Sequence, residues 1–152
     1  LTEAYRNASF IRRLAAIAYD AFLVVAIWMI STTLLVAIVA DGNEVRGWPF
    51  QLFLYVELFA FYYIFWRMKG QTLGMQVWKI KAVAENGEIM DSRQSILRFL
   101  AATVSLAPFG AGLAFALFNR DNLTAHDIMS RTRVIYLGDR PYESEKLAPE
   151  SA

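Results

Sequence analysis

Residues Ala21–Ala40 read AFLVVAIWMISTTLLVAIVA, twenty consecutive positions without a charged side chain. A helix rises about 1.5 Å per residue, so this run covers the roughly 30 Å hydrocarbon core of a bilayer. Asp20 stands immediately before it, and the apolar helical pattern extends back to Leu14. A secretory signal would have a shorter apolar region, about 7–15 residues, closed by a small-x-small cleavage site. Arg12 and Arg13 suit the basic flank of a signal, but the run is too long and no convincing site follows it. The segment is predicted to be a retained membrane span.

Outward from that span, the composition agrees. Of 152 residues, 57% are hydrophobic and 19% charged, against about 45–50% and about 25% in a typical soluble domain. Fifteen Lys and Arg against fourteen Asp and Glu leave a net charge of +1, so no overall field draws nucleic acid. The chain has no cysteine, which excludes disulfide scaffolds, thiol nucleophiles and Cys-ligated metal. A single histidine excludes a multi-His metal centre, and no cofactor is expected.

A second span is predicted over Phe50–Trp66, FQLFLYVELFAFYYIFW, with Glu57 at its middle and Trp48, Trp66, Arg67 and Lys69 at its ends. Aromatic residues at both interfaces with cations beyond them fit a membrane crossing. A third apolar stretch, Ile96–Phe118, carries Arg98 near its start and is broken by Pro108-Phe109-Gly110-Ala111-Gly112. Proline removes a helical donor and glycine lowers helix propensity. Two readings stand: one kinked crossing, or two short helices, about Ser95–Leu106 and Phe109–Phe118, forming a re-entrant hairpin. Two strand-like runs flank this stretch, Val77–Val83 and Thr132–Leu137, with a turn signal at Glu85-Asn86-Gly87. The expected fold is an all-α polytopic membrane protein. It has two full spans, a broken third stretch and a short cytoplasmic β-hairpin-like element. Residues 1–137 form a single membrane domain and residues 138–152 a polar tail. Leu1 in place of methionine leaves the true start open.

The cations set the orientation. Arg6, Arg12 and Arg13 precede the first span, whereas Asp41–Pro49 holds Arg46 alone beside Asp41 and Glu44. Five cations lie in the segment Arg67–Arg93, and Arg120, Arg131 and Arg133 follow Phe118. The positive-inside rule places the N-terminus and Arg67–Arg93 in the cytoplasm, with Asp41–Pro49 outside. The C-terminus falls on the cytoplasmic side if the third stretch returns, as the cation count and any pairing of the two strand-like runs favour. The expected location is the plasma membrane, the inner membrane in a bacterium.

Few residues are suited to chemistry. Arg13 and Asp20 are two helical turns apart and share a face. Asp20 is either a boundary residue reaching water or a buried group, in which case Arg98 is its expected ion-pair partner. Glu57 is the deepest charged position. It is either a structural hydrogen-bonding group between helices or a proton or cation site, because intramembrane carboxylates mark such pathways. His126-Asp127 is a weak dyad without a nucleophile motif, and a capping or turn role suits Asp127 better. Gly70-Gln71-Thr72-Leu73-Gly74 lacks the spacing of a phosphate loop and reads as a tight turn at the membrane surface.

The order of these elements resembles the RDD family of membrane proteins. Phe10-Ile11-Arg12-Arg13-Leu14-Ala15 through Asp20 resembles the family's opening motif. Gly70, Thr72 and Gly74 resemble its G-x-T-x-G element. Ser95–Phe99 with Arg98 resembles its serine-leucine-arginine stretch, and Leu123–Asp127 through Thr132 and Val134 its closing H-D…T-x-V element. The resemblance implies that Arg13, Asp20 and Asp127 are the three signature charges. Met75 follows the second glycine where the family often has a basic residue, and Glu57 matches no family motif.

Two functions are expected from these features, neither of them enzymatic. The first is a small transporter exchanging a monovalent cation for protons, as the resemblance implies for some relatives. Asp20, Glu57 and Asp127 would be its acid groups and Arg13 and Arg98 its counter-charges. So few helices enclose little pore, so a homo-oligomer is required. The alternative is a non-catalytic accessory subunit or assembly factor of a larger membrane complex. Expected partners are membrane lipids and other copies or subunits; nucleic acid is not among them.

Overall fold

A computed structural model of the chain describes residues 5–107 and 111–138. Helix α1 spans Phe10–Ile38 and α2 spans Trp48–Met68. A short helix α3 (Leu73–Val77) leads into strand β1 (Ile80–Ala84). Helices α4 (Ser92–Leu106), α5 (Ala111–Phe118) and α6 (Ala125–Ser130) follow, and strand β2 (Thr132–Tyr136) ends the order.

Helix α1 contains neither glycine nor proline and runs for 29 residues, about 43 Å at the helical rise. That length exceeds the hydrocarbon core, so its first turns, with Arg12, Arg13 and Asp20, extend past the charge-free run. Helix α2 begins after Gly47 with Pro49 in its first turn, where a missing N–H costs nothing. Both helices are long and apolar enough to cross a membrane. Their outward faces are apolar and exposed, with Phe22, Met29, Ile30 and Ile38 on α1 and Leu52, Val56 and Ile64 on α2. Lipid covers such faces in a bilayer. The two helices meet through polar bonds as well as packing: Trp28 Nε1 donates to the Leu54 carbonyl at 3.1 Å, and Ser31 Oγ donates to Glu57 Oε2 at 2.9 Å.

Helices α4 and α5 are bent against each other by 93°. Pro108, Phe109 and Gly110 of the expected break lie outside the described residues, as does the polar tail after Gly138. Strand β2 pairs antiparallel with β1, in the register Ile80↔Tyr136 to Ala84↔Thr132. The chain after α5 is therefore back beside the strand that precedes α4. The N-terminal segment joins the other edge of β2: Ala8 N–H donates to the Val134 carbonyl and Tyr136 N–H to the Arg6 carbonyl, both at 2.8 Å. An otherwise open strand edge is thus covered.

The first strand-like run is corrected at its start. The chain is helical over Leu73–Val77, turns through Lys79 at φ +54°, and becomes extended only at Ile80. Thr72 starts that helix by accepting from Met75 N–H, a local signal that outweighs the strand alternation. Helix α4 begins three residues earlier than expected, because Asp91 and Gln94 form a reciprocal capping box.

The core lies at the sheet end, where Ala16, Trp66, Met75, Ile80, Met90, Phe99 and Val134 are buried together. Two glycines permit it. Gly70, at φ +67°, lies so close to the Ala82 carbonyl that a Cβ would sit 2.7 Å from its oxygen. At Gly74 a Cβ would collide with the Ala16 carbonyl, so only glycine lets α3 lie directly on α1.

Candidate functional site

Most of the buried polar side chains among the described residues gather in two places at the sheet end of the bundle. The first is built on Asp20, 1% exposed. Its Oδ2 accepts from the Thr72 hydroxyl at 2.5 Å and its Oδ1 from Gly74 N–H at 2.8 Å. Thr72 also caps α3, so the G-x-T-x-G turn closes over the carboxylate with its backbone and its hydroxyl together. The surface turn expected here is a carboxylate clamp.

The second is built on Asp127, which is fully buried. Arg13 Nη1 donates to Oδ2 and Arg98 Nη1 to Oδ1, each at 2.5 Å. Thr124 N–H adds a bond to Oδ2 at 3.0 Å, and Thr124 Oγ1 accepts from Asp127 N–H, completing a capping box for α6. The capping role read from the sequence is present, and the same carboxylate serves as the hub of an ion triad. Arg98 Nη1 also donates to Thr132 Oγ1 at 2.6 Å, and Thr132 lies 2.7 Å from Ser130 Oγ. Arg13 Nε donates to the Ala8 carbonyl at 3.1 Å. The triad therefore ties α1, α4, α6, β2 and the N-terminal segment to one point.

The expected Asp20–Arg98 pair is replaced by these two clusters. Arg98 turns toward Asp127 and Thr132, while both Asp20 oxygens are taken by Thr72 and Gly74. Sequence spacing placed both charges near the same boundary, but α3 lies on α1 and fills Asp20's bonding sites with uncharged donors.

Electrostatics at the second cluster follow from burial and charge. Burial pushes the Asp127 carboxyl up, but the charges of Arg98 and Arg13 outweigh it and hold the group well below the usual carboxylate range. His126 is pushed down to about 3, first by burial and then by Arg98. Its Nδ1 lies 3.0 Å from Ser105 Oγ. At neutral pH the cluster is a neutral imidazole beside two guanidiniums sharing one carboxylate. Lys81, buried in β1, has its ammonium pushed down by desolvation.

Glu57 stands apart from both clusters, half-buried between α1 and α2 with Ser31 as its donor. Among the described residues no group of three or more His, Asp or Glu side chains comes together as metal ligands would. The sequence gives no site role to Thr124, Ser130, Ser105, Trp66 or Lys81. The capping signature Thr124-x-x-Asp127 was legible; the others are ordinary residues until the fold assembles them.

A cavity of about 310 Å³ lies beside the clusters, with Arg13, Asp20, Arg98, Trp66 and His126 in its wall. Most of the remaining wall is apolar or aromatic, including Leu58, Phe99 and Leu113.

The model of the RDD family matches residues 7–131. No curated protein and no solved structure matches the chain.

Proposed function

Because the chain belongs to the RDD family of membrane proteins, we propose that its signature charges are structural struts and that it serves as a non-catalytic subunit or assembly factor of a larger membrane complex. One observation supports this reading: both oxygens of Asp20 and both of Asp127 already accept bonds from groups of the same chain. A carboxylate that carries a proton or cation across a membrane must exchange its partners, and these two are clamped. The clamps hold the sheet end as a rigid cap on two spans whose outer faces are apolar. In this reading the cap and the N-terminus are cytoplasmic and the loop 41–49 is outside, in accord with the cation distribution.

Purification of the full chain in a mild detergent, with mass analysis of what remains bound, tests the proposal. A different membrane protein at fixed stoichiometry is the expected result. A homo-oligomer that carries cation-dependent proton flux in proteoliposomes would overturn it.

A second reading has one observation in its favour. Glu57 lies within α2 at the contact with α1 and, among the described residues, is bonded by one neutral hydroxyl, that of Ser31. Cation–proton exchange by a homo-oligomer would thus rest on Glu57 rather than on Asp20 or Asp127. In that case Glu57→Gln removes the flux while leaving insertion and folding intact.

A further inference from the structure

We propose that the cavity at the sheet end holds one acyl chain of a bilayer phospholipid, inserted with its methyl end toward the sheet. The inference rests on the two spans and not on whether the protein is a subunit or an exchanger.

The wall calls for a neutral, apolar occupant. Its accessible surface is almost wholly apolar, although Asp20, Arg13 and Arg98 stand in it. Their charged ends are turned into the protein: Asp20 accepts from Thr72 and Gly74, and both guanidiniums donate to Asp127. Two cations and two carboxylates also leave this end without formal net charge, so nothing here selects a charged head. Farther along, the Tyr55 hydroxyl lies 2.9 Å from Thr103 Oγ1, which donates to the Phe99 carbonyl at 3.0 Å. These groups are satisfied without a ligand. Apolar cavities exclude water, and an empty one forfeits the dispersion contacts of its lining.

Shape and opening select the source. Trp66, Tyr62, Leu58 and Tyr55 line the cavity along a single face of α2, a path of about 16 Å at the helical rise. Spread over that length, the volume of about 310 Å³ has a mean section of about 19 Å², too narrow for a helix, which is about 10–12 Å across with its side chains. A single hydrocarbon chain fits where a helix of a second copy does not. Met75, Ile80 and Val134 close the cavity at the sheet, each at most 8% exposed. At the other end Thr103 and Leu106 of its wall are exposed. Tyr55, at that same end, is near the middle of the 21-residue α2. The mouth therefore opens at the depth where acyl chains end, and a chain enters tip first.

The test uses the full chain in phosphatidylcholine bilayers that contain a phosphatidylcholine with a photoreactive diazirine at the methyl end of one acyl chain. After illumination, mass spectrometry of fragments locates the modified residues. Leu52, Val56 and Ile64 face outward on α2 and should be labelled by the surrounding lipid. Labelling of Leu58 and Tyr62 in the cavity wall is expected in addition. Outer labelling without these inner adducts would overturn the proposal. Ala102→Phe fills the cavity from α4 and should abolish the inner adducts while the outer ones persist. Inner labelling that this variant leaves unchanged would also overturn it. If Ala102→Phe does not fold, a second phosphatidylcholine, with the diazirine beside the carboxyl, decides. It should label the outer face alone, and inner labelling equal to that from the methyl end would rule out tip-first insertion.

Discussion

The Thr72 hydroxyl donates to Asp20 at 2.5 Å, joining the turn after the second span to the first span. Gly74 N–H bonds the other oxygen of the same carboxylate, and the bare Cα of Gly74 lets α3 lie on the Ala16 carbonyl. The bond therefore reports whether the cap is seated on α1. Thr72→Val removes the donor in a buried place and should cost about 1–3 kcal/mol, whereas Thr72→Ser should cost less. Measured as the temperature at which half the protein survives heating in detergent, Thr72→Val and Asp20→Asn should be less than additive together. Asp20→Asn with Arg98→Gln should be close to additive, because those side chains belong to separate clusters.

Asp127 holds the second cluster together, and its loss strands two guanidiniums. Arg98→Gln and Asp127→Asn should each destabilise by about 3–5 kcal/mol, the usual consequence of breaking a buried ion pair. The double variant should be substantially less than the sum. Additive losses would show that the two groups do not act on each other.

Acid should loosen the cap before it protonates Asp127. His126 has a folded value of about 3 against an ordinary 6.5, so the unfolded chain takes up a proton that the folded chain refuses. Stability from this group is complete above pH 6.5 and declines as pH falls toward 3, by up to about 1.4 kcal/mol per pH unit. Asp127, also held below its ordinary value, adds a loss of the same sign at still lower pH. Heat-survival curves between pH 7 and 4 should shift downward with acid in the natural chain. In His126→Asn, which keeps a polar atom near Ser105, the dependence between pH 6.5 and 4 should be much flatter.

Orientation can be read by labelling single cysteines in intact cells. Asn43 between the spans should react with an impermeant reagent from outside. Asn86, in the turn after β1, should not. A cysteine at Ser144, beyond the described residues, should behave like Asn86, because β2 is paired to β1. Outside labelling at Ser144 would contradict the returning path of the third stretch.

Much of this protein was readable along the chain because membrane crossing is a local property. Twenty charge-free residues at Ala21–Ala40 must be satisfied by their own backbone hydrogen bonds in lipid, whatever the rest of the chain does. The cap of α6 was readable for the same reason, since Thr124 and Asp127 are three residues apart. The true beginning of β1 was not. Thr72 starts a helix on one side of the strand-like run, and partners in β2 fix the ladder from the other.

By itself the sequence determined the two spans, the break in the third stretch, the strand-forming runs and the charges that had to be buried or paired, because each depends on neighbours within a few turns. Only the tertiary structure decided who pairs with whom. Arg98 met Asp127 rather than Asp20, because α3 packed on α1 and satisfied Asp20 with Thr72 and Gly74 first. Coulomb attraction has no preference for one carboxylate over another at equal distance. The choice belongs to packing, which sets those distances and which a linear pattern does not contain.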